Sequence, residues 1–393
     1  MQQKISRVPW IDYLRGFITL LVVAHHSSLA YTSWASFNKT AYILSTHPVV
    51  DTARWKGLDI FEDFNDIFFM PLMFLISGIF VLRSIDGKGR GVFIKERLRR
   101  LGLPFVVGVT VLMLIAYYPA WLLAHDGKGD VRGGGREIGA YIVDFFTVEA
   151  WPVGPPWFLW VLLAFNAIFV WVYPYVKDTL VEWSQALSKI RTPLELVLLG
   201  YIITWVLYIP MMSWAGADAW TGIGPFDFQI SRILLYFGYF MVGVVMGGGF
   251  VNGTMFVEKW RHWVGACLLA FALLKCSEAP LRWMVDHHQI RMQAAQCIYR
   301  SMWCLSCVLS CMAFLVASKK IFQRARPWWN GLSGNAYGIY LVHYIFVTWC
   351  QYLLLGVDLP ALVKFLITFF LSAAASWAAT AAVRRIPGIK RVL

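Results

Sequence analysis

With 393 residues, 59% of them hydrophobic and only 15% charged, the chain is too apolar for a soluble globule and has the composition of a membrane protein. Its net charge of +13 does not argue for nucleic acid, because the basic residues gather in the loops of one side of a predicted bilayer. The seven Cys lie mostly in predicted helices, which excludes a secreted disulfide framework, and the 20 Trp and 17 Tyr suit interfacial belts.

Apolar windows predict about ten membrane spans, at 14–34, 61–82, 103–124, 156–175, 194–212, 229–250, 262–283, 295–317, 335–356 and 361–383. No repeat, linker or soluble appendage interrupts them, so residues 1–393 read as one all-α polytopic membrane domain. Lys4 and Arg7 precede an apolar run with no convincing small-residue cleavage site, so the first span reads as uncleaved. Of the 35 Lys and Arg, 23 fall on the side of the N-terminus and 7 in the opposite loops. That asymmetry, with an even number of spans, predicts both termini in the cytoplasm.

The first span carries the most informative pattern. Arg15 and His26 have ten residues between them, and eleven steps of about 100° return a helix to within about 20° of its start. Both side chains therefore share a face, with Asp12 and Thr19 on the same stripe. The rise is about 16 Å, so an Arg15 at the membrane surface puts His26 near the midplane. An ionisable group at that depth either packs with its hydrogen bonds satisfied or faces a wet functional cavity. Asp12 can pair with Arg15 at i,i+3 but is too far away to orient His26. His25 points about 100° away and is secondary.

Outer loop one, about 35–60, holds Trp55 and an acidic approach of Asp59, Glu62, Asp63 and Asp66. The Gly133-Gly134-Gly135 loop leads into an amphipathic piece, Ile138 to Trp151, that can lie along the interface. Either loop could shape an entrance, and solvated loop is the default for most of their residues. Between spans two and three, Arg83, Lys88, Arg90, Lys95, Arg97, Arg99 and Arg100 make a basic inner loop. Arg97 and Arg100 are helix neighbours whose guanidinium forks suit phosphate oxygens, although any basic inner loop can also be a topology anchor on anionic lipid. Gly87-Lys88-Gly89 is not a P-loop.

Ser77-Gly78 in span two suits close helix packing. Asn166 in span four is most simply an interhelical hydrogen-bonding group. Span nine places Tyr337, Tyr340 and Tyr344 near one face with His343 beside them, a second buried His with structural and site-lining roles both open. Cys297, Cys304, Cys307 and Cys311 read as packing residues, and Asp286-His287-His288 lacks further ligands, so no metal site is expected.

Taken in order, Arg15 with His26, the run into Ile76-Ser77-Gly78, Arg97 and Arg100 before Leu101-Gly102-Leu103-Pro104, Trp157-Phe158-Leu159 and Tyr340-Leu341-Val342-His343 resemble the membrane-bound acyltransferase-3 family, in its glucan-succinylating branch. Two features depart from the pattern. Trp157-Phe158-Leu159-Trp160 stands where many members carry a motif with acids, and Pro155-Pro156 stand where the glucan branch often has a His.

The resemblance implies a multi-pass protein of the bacterial inner membrane. It would move a succinyl or acetyl group from cytoplasmic acyl-CoA, a co-substrate and not a resident cofactor, to a hydroxyl of a periplasmic glycan. In that reading Arg97, Arg100, Arg15 and Lys95 hold the CoA phosphates, and His26 is the general base or a transient acyl carrier. Arg15, Asp12, His25, His343, Tyr340 and Asn166 support or line the site. Two other readings stay open: a glycan exporter in which Gly247-Gly248-Gly249 belong to a gated path, and an acyltransferase with a protein or lipid acceptor.

Overall fold

The computed structural model describes residues 9–125, 134–148, 150–248, 257–324, 326–389 and 392. Lys4, Arg7, Lys128, Arg132, Gly133, Gly249, Lys390 and Arg391 lie outside them. The described chain is a helical bundle whose long members are α1 (Pro9–Leu29), α2 (Lys56–Ile79), α8 (Trp157–Lys189), α9 (Pro193–Ala215), α10 (Ile233–Gly247), α11 (Trp260–Asp286), α12 (Met292–Ile321), α13 (Pro327–Leu353) and α14 (Ala361–Val383). A tenth, composite crossing runs through α4 (Arg90–Arg97), α5 (Leu103–Val107) and α6 (Met113–Ala124), joined by π-helical turns at Leu98–Gly102 and Gly108–Leu112. Short α3 (Val81–Lys88) leads into it, and α7 (Gly134–Thr147) follows it. The only strands among the described residues pair Trp220–Thr221 with Phe228–Gln229 in a small antiparallel hairpin.

Eight of these helices are long and apolar enough to cross a membrane on those two criteria alone; α1 and α13 are not among them. At 21 and 27 residues both have the length, so what they lack is apolarity. The ten predicted windows each fall on one crossing. The first helix starts and ends earlier than predicted, because Tyr31 N–H turns back to the Ser28 carbonyl. The fourth runs on to Lys189. At about 1.5 Å per residue its 33 residues exceed the hydrocarbon thickness and project beyond it.

Close packing sets the bundle's centre. A Cβ on Gly78 would sit 2.1 Å from the Phe240 carbonyl oxygen, one on Gly243 2.0 Å from that of Leu75, and one on Gly247 2.1 Å from that of Ile79. Only glycine lets α2 and α10 meet backbone to backbone, the small-residue contact expected of Ser77-Gly78. Gly247 and Gly248, the latter against Ser184, are thus taken up by packing. The most apolar window of α2 is 72% buried, against 17% for α11, so α2 is central and α11 presents Leu268, Leu269 and Leu273 outward, as lipid contact requires.

The bundle has two unlike ends. One carries the start of α1, the α3–α4 hairpin and Arg97 to Arg100; we call it the basic face. The other carries the 30–55 loop and the 217–229 hairpin; we call it the loop face. The 30–55 loop is not a solvated connector. Arg54 donates to the carbonyls of Thr32 and Ala35, both at 2.7 Å, and Asp51 and His47 are buried. The cause is Lys364 in α14, a buried cation whose Nζ is 2.7 Å from Asp51 Oδ2. A charge at that depth needs its partner, and the loop supplies it. Helix α7 packs on α6, with Tyr141 and Phe145 buried and Asp144 accepting from Tyr42 Oη at 2.8 Å.

Candidate active site

The site is built where α1 and α13 run side by side. They can approach because Gly16 faces Ser333, whose Cα would lie 3.3 Å from an added Cβ. One turn before His26, the Val22 carbonyl sits 2.8 Å from His26 Nδ1. A carbonyl oxygen only accepts, so Nδ1 carries the proton. His343 repeats the device: its Nδ1 donates to the Tyr340 carbonyl at 2.7 Å. That leaves His343 Nε2 with a lone pair, 3.2 Å from His26 Nδ1. The Nδ1 proton of His26 is therefore shared between Val22 O and His343 Nε2. The remaining nitrogen, His26 Nε2, is a lone-pair acceptor with no hydrogen bond among the described residues. His343 is buried and His26 half-buried.

Gln351 and His47, which the sequence did not single out, complete the surroundings with Tyr344. Gln351 Nε2 donates to the carbonyls of His26, at 3.1 Å, and Ser27, at 3.3 Å. Its Oε1 accepts from His47 Nε2 at 2.7 Å. Tyr344 donates to His47 Nδ1 at 3.4 Å and sets its ring edge-on to His26, centroids 5.2 Å apart. The loop histidine, the α13 glutamine and the end of α1 thus form one network. His47 lies outside the spans, and burial pushes its pKa down from 6.5 to about 4, against the partly compensating Gln351 hydrogen bond. The sequence did hold one clue: Gln351 follows Tyr344 by seven residues, within about 20° on a helix. His47 had no local signal, since its partner is 304 residues away.

The other predicted residues divide. Asp12 and Arg15 form the expected i,i+3 ion pair on the basic face. Arg97 interacts electrostatically with both Arg100 and Arg15, so the three cations share one region. Arg97 is half-buried with its guanidinium 4.8 Å over Phe93, and Arg100 lies in the π-helical turn, a wider winding common at functional sites. Lys95 is exposed, and two positions from Arg97 it points to another side. His25 is buried against Phe69 with Nε2 3.5 Å from Glu62 Oε1, and it touches His26 only ring to ring at 5.4 Å. Tyr340 donates to the Pro155 carbonyl and Tyr337 to that of Arg100, so each tyrosine of the stripe reaches a different element. Gly154, at φ +52°, lets the chain turn into Pro155 beside Met113. Asn166 is not an interhelical bridge: its Nδ2 donates to Leu162 O, 2.6 Å away in its own helix, and Oδ1 is buried without a partner. The cysteines are packing residues, Cys307 3.4 Å from Tyr239 Oη, and no cluster of three metal-ligating side chains occurs among the described residues.

A multi-pass helical bundle with a histidine pair between two of its crossings and three arginines at one end is the class that these features define. The chain belongs to the acyltransferase-3 family: the family model, described as an acyltransferase domain, matches residues 8–381. It is similar to glucans biosynthesis protein C of Shigella dysenteriae serotype 1 (strain Sd197), at 25% identity over 250 residues, 61% of this chain and 58% of the relative. The protein of the same name from Escherichia coli O17:K52:H18 (strain UMN026 / ExPEC) is 25% identical over 276 residues, 68% and 65% of the two chains. The chain thus spans about three fifths of the length of these curated relatives. No solved structure matches it.

Proposed function

We propose that the protein is a transmembrane O-acyltransferase of the bacterial inner membrane, with both termini in the cytoplasm. Its donor is a cytoplasmic acyl-CoA, succinyl or acetyl, and its acceptor a hydroxyl of a periplasmic glycan. The observation that carries this reading is the hydrogen-bond chain from Tyr340 O through His343 to His26 Nδ1, which leaves His26 Nε2 with its lone pair as the proton acceptor. The basic face would be cytoplasmic, where Arg15, Arg97 and Arg100 meet the CoA phosphates. The long pantetheine arm would then carry the thioester towards His26.

In the transfer, His26 Nε2 takes the proton of the acceptor hydroxyl as its oxygen attacks the thioester carbonyl. A C–O bond forms and the C–S bond breaks. The CoA thiolate leaves, and the proton held on His26 returns to it. His343, holding the Nδ1 proton of His26, stabilises the imidazolium formed in between, and Tyr340 O orients His343. No external oxidant or cofactor is required.

Purified protein in lipid nanodiscs, given succinyl-CoA or acetyl-CoA, is expected to release free CoA faster when a glucan acceptor is added, with the acyl ester found on the glycan by mass spectrometry. CoA release that ignores the acceptor, with no ester formed, would overturn the reading.

A further inference from the structure

A cavity of about 640 Å³ opens on the loop face, at the opposite end of the bundle from Arg15, Arg97 and Arg100. Its volume lies in the range of ligand sites. Trp34 and Trp220, 47% and 49% exposed, belong to its wall, as do Tyr299 and the buried Trp303. Flat aromatic faces are interleaved with charges that are already largely matched. Asp66 receives a two-pronged contact from Arg232, at 2.6 and 2.8 Å, and Lys275 Nζ is 2.7 Å from Asp63 Oδ2. Arg300 makes no ion pair among the described residues and lies 5.6 Å over the Tyr299 ring, and Glu62 Oε1 is 3.5 Å from His25 Nε2.

This chemistry discriminates between ligands. Four carboxylates, Glu62, Asp63, Asp66 and Asp218, stand in the wall against three cations, of which Arg232 and Lys275 are already paired. A polyanion such as CoA therefore finds only Arg300 uncommitted, and an acyl chain would desolvate the charges. A neutral polyhydroxylated ring suits both components. Its C–H face stacks on indole, and its hydroxyls donate to carboxylates and accept from guanidinium. The cavity also adjoins the histidines. Glu62 in its wall is 3.5 Å from His25, whose ring lies against His26, and Thr46 in its wall precedes His47 of the Gln351 network.

We infer that this cavity is a saccharide-binding subsite in which Trp34 and Trp220 stack successive sugar rings and Glu62 and Arg300 hold their hydroxyls. It rests on the acyltransferase reading only in that the bound glycan is then the acceptor. The subsite selects neutral oligosaccharides by ring stacking and leaves the donor to the basic face.

The test uses the full chain in nanodiscs without any acyl donor, titrated with glucose, cellotetraose, laminaritetraose and maltotetraose by calorimetry. At least one tetrasaccharide is expected to bind more tightly than glucose. The Trp34→Ala, Trp220→Ala double variant should weaken it by about tenfold or more, with CoA binding unchanged. Trp34→Phe with Trp220→Phe should restore most of the affinity, which separates stacking from misfolding. No binding of any tetrasaccharide to the wild type, or equal binding by wild type and the alanine variant, would overturn the subsite. Because no donor is present, a protein that binds the tetrasaccharide but never acylates it would sink the proposed reaction and leave the subsite standing.

Discussion

The two ends of α1 are built in opposite ways. At the basic face Arg15 has a single carboxylate partner, Asp12, and stands with Arg97 and Arg100 among exposed or half-exposed side chains. At the far end His26 is tied through its ring to Val22 and His343 and through its carbonyl to Gln351 and so to His47. A region of like charges with few internal partners is under mutual repulsion, which an anionic ligand relieves. A region with its polar groups paired is fixed in orientation, as proton transfer demands. The difference separates holding from chemistry along one helix.

The sharpest way to break that comparison is at the chemical end. His26→Ala is expected to lower acyl transfer by ~10²–10⁴-fold while CoA binding stays within experimental error, read by CoA release and calorimetry on the same sample. Lys364→Met should strip Asp51 of its partner and destabilise the fold by ~3–5 kcal/mol, seen as a lower Tm in nanodiscs. Adding Asp51→Leu should recover much of that loss, and a double variant no better than the single one would argue against the pair as the loop's anchor. At the holding end, Arg97→Ala with Arg100→Ala should raise KM for acyl-CoA by ~10–100-fold and leave kcat nearly unchanged. A fall in kcat alone would assign these arginines to the chemistry instead.

The smallest effect concerns the loop network. His47 is held neutral, with its pKa moved from 6.5 to about 4. Between those values the unfolded chain binds the extra proton, so His47 stabilises the fold fully above about 6.5, and this contribution is lost as pH falls towards about 4. His47→Gln is expected to flatten the acid side of the Tm–pH curve. An unchanged slope would show that His47 titrates as it does in the unfolded chain.

Much of the architecture was legible because a bilayer imposes lengths. Eight of the ten predicted windows fall on helices long and apolar enough to cross, and the Arg15–His26 stripe, the Asp12–Arg15 pair and the Ser77-Gly78 contact follow from helix geometry. Polarity itself marked the site: α1 and α13, the two crossings that fall short on apolarity, are the ones that meet at His26 and His343. What escaped the sequence is non-local. The pairing of His26 with His343 spans 317 residues, and the burial of the 30–55 loop depends on Lys364, which periodicity shows only as a cation within a span. The π-helical turns around Arg100 and the self-directed hydrogen bond of Asn166 depend on neighbours that local propensity does not encode.

The most direct test is an experimental structure of the protein with a non-hydrolysable acyl-CoA analogue bound in nanodiscs. The account predicts the CoA phosphates on Arg97, Arg100 and Arg15 and the acyl carbonyl beside His26 Nε2. An analogue seated on the loop face, or one whose acyl end stops short of the histidine pair, would contradict it.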